Sequence, residues 1–244
     1  MYFAIGGLGG SGTRVVAQLF IERGIFMGDD LNASNDNLLF TRLFKNPEWY
    51  RTASLEEKRN QFQIFEKSMS LAGNFLGNIW GWKEPNTHLY LTELAEFLPD
   101  LKYIHVIRHG LDMAYSDNKA QLFNWGNEFG VEANAAEAPD DLAVKNLEYW
   151  IRANRAATDK GDALFGNRFY LLNYDKLCEN PKVEIKKVFD FLDIPLDEIA
   201  LQKLALIPKV PASHERYRKH DISLFSHEQL DQVRAFGFTI KTYV

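Results

Sequence analysis

Along the chain, short apolar runs of strand length alternate with stretches in which apolar residues recur at helical spacing. Tyr2-Phe3-Ala4-Ile5 is the first run. After a turn, Val15, Val16, Leu19 and Phe20 recur with a helical period. Gly24 to Gly28 is a short extended piece, and Asp29 to Asn37 is a polar loop rich in turn and capping residues. Apolar positions at 62, 65, 69, 72 and 76 predict a helix over Phe62–Phe75. Gly77 to Trp82 reads as the second strand. Asn86 or Thr87 then caps a helix carrying Leu91, Leu94, Ala95 and Leu98 on one face, which Pro99-Asp100 stops. Lys102 to Ile107 is almost continuously apolar, as a strand buried on both faces of a parallel sheet should be. A helix from about Leu111 is expected to carry Ser116. Phe123 to Pro139 has no period and reads as a loop insertion of the kind that covers a site. Pro139 opens a long helix to about Leu164, Arg168 to Asn173 is the fourth strand, and Pro181 starts a helix with Ile185, Val188, Phe189 and Leu192 on one face. The tail is irregular until a helix over about His227–Phe236. This βαβαβαβα order predicts an α/β fold: a P-loop-type central parallel sheet with helices on both faces, in one domain spanning 1–244.

Composition narrows the function classes. Of the 244 residues, 46% are hydrophobic and 25% charged, which is ordinary for a globular protein. Aromatic residues make up 14%, enough for a large core and an aromatic-lined pocket. The net charge of −5 argues against a general nucleic-acid binder. Cys178 is the single cysteine, so no intrachain disulfide can form, which suits a reducing compartment. The first strand begins at residue 2 and no run approaches the length of a membrane span. The expectation is a cytoplasmic enzyme without a membrane span.

The chemistry concentrates in Gly6-Gly7-Leu8-Gly9-Gly10-Ser11-Gly12-Thr13-Arg14, between the first strand and the first helix. Glycines let backbone N–H groups turn inward, and a helix N-terminus adds partial positive charge, so such a loop cradles an anion. Ser11 and Thr13 add hydroxyl donors and Arg14 a full charge. Five glycines with Ser and Thr exceed what a ligand-free turn requires. Gly7 and Gly12 have the spacing of the nucleotide P-loop, but Thr13 and Arg14 stand where Lys and Ser/Thr should be. The cradle therefore lacks the lysine that holds the terminal phosphates of a nucleoside triphosphate, which argues against an ordinary kinase or ATPase.

In parallel sheets, ligands bind beyond the C-terminal ends of the strands. Gly9 to Arg14 follows strand one, Lys83-Glu84 ends strand two, Arg108 ends strand three and Tyr174-Asp175 ends strand four. Each alone fits a solvated strand end or a helix cap. Together they describe a pocket with a cradle, two further cations and an aromatic face.

These residues resemble the sulfotransferases that use 3′-phosphoadenosine-5′-phosphosulfate (PAPS), over residue 3 to about 194. Gly10-Ser11-Gly12-Thr13 resembles the family's 5′-phosphosulfate loop. Val106 to Ser116 resembles its 3′-phosphate motif, with Arg108 and Ser116 eight residues apart. Lys83-Glu84-Pro85 is similar to the Lys-Asp-Pro of the tyrosylprotein branch. Leu171 to Leu177, then Asn180-Pro181 and Phe191-Leu192, resembles the Tyr-Glu-Asp-Leu segment and the helix after it. The resemblance implies PAPS as co-substrate, PAP as product and no metal. It implies that Gly9, Gly10, Ser11, Gly12, Thr13 and Arg14 hold the 5′ end, that Arg108 and Ser116 hold the 3′-phosphate, and that Tyr174 faces the adenine. The basic cluster Arg216-Tyr217-Arg218-Lys219 is either a segment that closes over the nucleotide, with Arg218 as its ligand, or a solvated basic turn.

Sulfuryl transfer needs a cation for the leaving oxygen, donors for the moving group and a base for the acceptor's proton. Most members carry Lys or Arg before Ser-Gly-Thr, and this chain has Gly10. That burden is expected on Lys83, with Arg14 as helper. Pro85 stands where the cytosolic branch has its catalytic His. Gly28-Asp29-Asp30 falls near the Gly-Glu-Glu of the tyrosylprotein branch, so Asp30 is the first candidate base and Asp36 the second, with Glu84 and His88 in reserve. His105 and His109 lie on a strand and its end, which argues against a metal pair. The acceptor stays open among small alcohols or phenols, carbohydrate, lipid and peptide tyrosine. Two rival readings remain: a P-loop kinase-like enzyme on a small hydroxyl compound, and a non-catalytic nucleotide-binding module.

Overall fold

The computed structural model describes residues 1–74 and 79–241. The chain packs into two compact units, Met1–Ile107 with Ala157–Lys209, and Arg108–Ala156 with the residues from Val210 onward.

The first unit contains a four-stranded parallel sheet in the order β2-β1-β3-β4, formed by β1 (Tyr2–Gly7), β2 (Trp80–Lys83), β3 (Lys102–Ile107) and β4 (Phe169–Asn173). Its helices are α1 (Thr13–Glu22), α2 (Leu38–Phe44), α3 (Pro47–Thr52), α4 (Leu55–Asn74) and α5 (Leu91–Phe97). The second unit supplies α6 (Gly110–Ala114), α7 (Ala120–Trp125) and the start of α8 (Pro139–Phe165). The chain continues with α9 (Tyr174–Glu179), α10 (Pro181–Phe191) and α11 (Glu198–Leu204) in the first unit, and α12 (His227–Ala235) in the second.

Both faces of the sheet are covered. On one, Phe3, Ile5, Ile104, Val106 and Leu172 pack with Val16, Leu19 and Phe20 of α1 and with Ile185, Val188 and Phe189 of α10. Phe20 lies between Phe3 and Phe189, with ring centroids 4.6 and 5.1 Å away. Emptying such a site costs about 3–5 kcal/mol, so the helix that follows the glycine loop is firmly seated. On the other face, Trp82 meets Phe40 of α2 and Phe65 of α4, and Tyr103 meets Phe165. Phe44, Phe62 and Tyr90 extend this cluster, so much of the aromatic content goes into the core.

The chain departs from the sequence expectations at a few joints. Strand two is Trp80–Lys83; the expected start at Gly77, and the helix end at Phe75, lie outside the described residues. The helix expected after Lys83 opens as a 3₁₀ turn, Pro85–Tyr90, because Glu84 caps it by accepting the Asn86 N–H at 2.7 Å. The helix after Arg108 ends at Ala114, so Ser116 follows its C-terminus, with its N–H donating to the Met113 carbonyl at 3.0 Å. The stretch read as a bare insertion begins inside α7 and continues as a 3₁₀ turn, Gly126–Phe129, whose last carbonyl accepts from Arg152 at 3.2 Å. No helix among the described residues is long and apolar enough to cross a membrane.

Candidate active site

In the first unit the glycine loop leaves β1 and turns twice through left-handed backbone, at Gly10 (φ 97°) and Gly12 (φ 95°). Gly12 caps α1 with no side chain, so the helix begins with its N–H groups facing the loop. A Cβ at Gly12 would stand 2.2 Å from the Tyr174 ring. Only glycine serves there, on both backbone and steric grounds. Tyr174 itself is 5% exposed and belongs to the core under α1. Ser11 is fully buried, and its Oγ has no hydrogen-bond partner among the described residues. A buried hydroxyl without a partner is costly in a protein with nothing to bind. Thr13 is buried, while Gly10 and Arg14 are exposed.

Lys83 ends β2 opposite Ile5 of β1 and is 2% exposed. Its Nζ donates to the Ser34 carbonyl at 3.0 Å and pairs with the Asp36 carboxylate. Burial lowers the lysine's pKa, and the neighbouring Asp36 opposes that shift. The turn that brings Asp36 is built by two asparagines. Asn32 Oδ1 accepts the N–H groups of Ser34 (2.8 Å) and Asp36 (2.9 Å), and its Nδ2 donates to Asp36 Oδ2 at 2.8 Å. Asn35 takes the left-handed conformation (φ 59°) and donates to the Arg14 carbonyl at 3.3 Å and to Gln18 at 3.0 Å. The loop is thereby fastened to the first turns of α1, and Lys83, Asp36 and the cradle helix form one connected group.

Asp30 belongs elsewhere. It is half-exposed, pairs with Arg42 at 2.8 Å and lines a cavity of about 160 Å³ with Asp29, Asn37, Leu39, Ser68 and Met69. The two reserve bases are interior groups. Glu84 is fully buried against Lys45 at 3.2 Å, and burial raises its pKa. Burial, with His105 nearby, pushes His88 down to about 3, so its ring is neutral.

In the second unit Arg108, the residue directly after β3, is 6% exposed. Its Nη2 donates to Ser213 Oγ at 2.8 Å, and its carbonyl accepts the Trp150 Nε1–H at 3.1 Å. Ser116 is partly exposed. The basic cluster forms a 3₁₀ turn, Arg216–Lys219, which packs against α6. Arg218 is ion-paired with Glu215 at 2.8 Å. Arg216 instead reaches toward the arginine motif: its Nη1 donates to the Tyr115 carbonyl at 3.4 Å and its Nε to the Ser213 carbonyl at 3.3 Å. Burial lowers its pKa, and the Arg108 charge lowers it further. Lys119 is pushed down to about 8 by burial, with Arg216 contributing against Asp117. Arg108 bears on Arg216 and Arg216 on Lys119, with Asp112 and Asp117 opposing them. Asp112 and Ser213 escaped the sequence reading, and Arg216 was visible there as a member of the basic cluster, with Arg218 named as its ligand.

A family model described as the sulfotransferase family matches residues 4–198. The chain therefore belongs to the sulfotransferase family. Its fold is similar to the sulfotransferase domain of the olefin synthase of Synechococcus PCC 7002, at TM-score 0.57 and 15% identity, covering 99% of this chain and 95% of that one. It is also similar to mouse sulfotransferase SULT7A1 complexed with PAP, at TM-score 0.52 and 11% identity, covering 96% and 82%. An uncharacterized protein of Aquifex aeolicus is 25% identical over 120 residues, which are 49% of this chain and 15% of that relative's length.

Proposed function

We propose that this sulfotransferase takes its sulfuryl group from PAPS and passes it to a hydroxyl acceptor, releasing PAP. The observation that carries the reading is Ser11: a buried hydroxyl without a partner among the described residues, between two left-handed glycines, at the start of a seated helix. A 5′-phosphosulfate supplies the acceptor oxygens that this hydroxyl and the helix N–H groups lack. Gly9 to Thr13 hold the 5′ end, and Arg14 adds charge from the exposed side. Arg108 and Ser116 hold the 3′-phosphate, with Arg216 beside Arg108 in place of Arg218, which Glu215 occupies. Tyr174 braces Gly12 from the core. It is almost wholly buried, which leaves little of the ring for an adenine.

In the transfer step the bond between sulfur and the donor's phosphate oxygen breaks as the acceptor oxygen attacks in line. Lys83 meets the charge on the leaving oxygen, filling the role that Gly10 cannot. Asp36 orients Lys83 and is the favoured group to take the acceptor's proton. Asp30, tied to Arg42 at the surface, is the weaker candidate. The acceptor is a small molecule, a carbohydrate or a peptide hydroxyl, and a cytoplasmic location fits the single cysteine.

Thermal shift with PAP, with ATP and magnesium, and without ligand tests the donor, and mass spectrometry of acceptor pools incubated with PAPS tests the transfer. Stabilisation by PAP together with an 80-Da sulfuryl adduct, about the mass of SO₃, is expected. Stabilisation by ATP alone overturns the reading in favour of a kinase, and PAP binding without any adduct favours a non-catalytic module.

A further inference from the structure

In the second unit, the segment after Val210 returns to the helix that follows Arg108, and one buried carboxylate receives it. Asp112 lies in α6 and is 1% exposed. Its Oδ2 accepts the Glu215 N–H at 2.9 Å and its Oδ1 the Tyr217 N–H at 3.4 Å. The same carboxylate stands 3.8 Å from the Arg108 guanidinium. Around it the returning turn is tightly specified. Glu215 takes a left-handed conformation (φ 55°), which a non-glycine residue adopts only when its surroundings hold it there. Its carboxylate is gripped by Arg218 at 2.8 Å and by Lys241 at 2.5 Å. Tyr217 stacks on His109 at 4.8 Å and accepts the Lys241 N–H at 2.9 Å.

The two groups that this turn delivers are Ser213, on Arg108, and Arg216, on the Tyr115 carbonyl. Left alone, the Arg108 and Arg216 charges would push the turn away. A buried carboxylate that accepts two backbone N–H groups and faces one guanidinium offsets that repulsion and fixes the turn's register.

We propose that Asp112 is a positioning residue of the donor site: it clamps the 213–217 turn onto the arginine motif and so sets the spacing of Arg108, Ser213 and Arg216. This rests on the reading of Arg108 as a ligand of the donor's 3′-phosphate. Asp112 touches no ligand and acts through its neighbours.

The experiment titrates PAP and adenosine 5′-phosphosulfate, which lacks the 3′-phosphate, into the parent chain and into Asp112→Ala, Asp112→Asn, Ser213→Ala and Arg108→Ala. Amide hydrogen exchange at Glu215 and Tyr217 is followed in each. Asp112→Ala is expected to weaken PAP by about tenfold or more, the scale of losing charge-assisted hydrogen bonds. It should leave adenosine 5′-phosphosulfate within about twofold and speed both amides. Asp112→Asn, which keeps the shape and one acceptor oxygen, should fall between it and the parent. Ser213→Ala should weaken PAP without speeding the amides. Unchanged exchange in the Asp112 variants overturns the clamp. So does faster exchange with PAP affinity intact, or an equal loss for both nucleotides. Where Asp112→Ala does not fold, Asp112→Asn decides on the same criteria. If Arg108→Ala weakens both nucleotides alike, the donor reading has failed, and the exchange rates still report separately on the clamp.

Discussion

The two charged regions of this molecule are held in different ways. In the first unit, the cradle and Lys83 stand at the ends of neighbouring parallel strands, and short-range contacts complete them: Lys83 to Ser34 and Asp36, Asn35 to Arg14. The geometry comes from the sheet and from a helix with its aromatic face in the core. In the second unit, Arg108 meets Ser213, more than a hundred residues away, on the turn that Asp112 holds. That geometry comes from side chains gripping a returning segment. The first region is built into the sheet, and the second is held by side-chain contacts within its own unit. Changes in the first should therefore act on the chemical step, on folding and on the hold on the 5′ end, and changes in the second on the hold on the 3′-phosphate alone.

The largest effect should fall on the buried pair. Asp36→Asn removes the favoured base and loosens Lys83, and kcat should drop by about 10²–10⁴. Asp30→Asn should change kcat by less than threefold, roughly what loss of one exposed ion pair implies. The reverse ranking would make Asp30 the base. Lys83→Ala should reduce kcat by about 10²–10³ while PAP still binds. Full activity in that variant, with Arg14→Ala dead, would hand the cation's role to Arg14.

Gly12→Ala forces a side chain into left-handed backbone and into the Tyr174 ring. A destabilisation of about 1–3 kcal/mol in chemical denaturation is expected from overpacking, together with loss of binding for every 5′-phosphorylated nucleotide. A stable Gly12→Ala variant that binds normally would show that the cradle is not the anion site.

The smallest effect should come from pH acting on the second region. Lys241 and Arg218 draw the Glu215 carboxyl down to about 2 from a usual value of 4.5. A depressed carboxylate contributes stability that is present above its unfolded pKa and lost as pH falls through the folded one. Protection of the 213–217 amides, measured against their intrinsic exchange rate at each pH, should therefore fall between about pH 4.5 and 2, and Glu215→Gln should remove that fall. A pH profile unaltered by that substitution would detach the turn from its ion pairs.

The contrast between the regions also explains what could be read in the chain. The strand–glycine–helix unit, the third strand and the order of elements were legible because period and turn chemistry are local. So was the Arg108…Ser116 spacing. The chain did not show that α6 stops at Ala114, leaving Ser116 beyond it, because helix ends depend on tertiary partners such as Asn146, which donates to the Met113 carbonyl at 2.6 Å. Asp36 ranked below Asp30 by motif position. The structure pairs Asp36 with Lys83 because Asn32 and Asn35 shape the turn, and Asn35 was visible only as one polar residue among many. Asp112 and Ser213 were hidden for one reason: their partners lie across a sequence gap that no pattern bridges.

The central claim is that the protein reads both ends of a 3′,5′-bisphosphorylated adenosine, the 5′ end with the glycine loop and the 3′-phosphate with Arg108. Isothermal titration of PAP against adenosine 5′-phosphosulfate, in the parent chain and in Arg108→Ala, tests it most directly. The account predicts that the parent prefers PAP by about tenfold or more, as charge-assisted bonds to a phosphate imply, and that Arg108→Ala abolishes the preference while both ligands still bind. Equal affinity for the two nucleotides in the parent, or a preference that survives in Arg108→Ala, would contradict it.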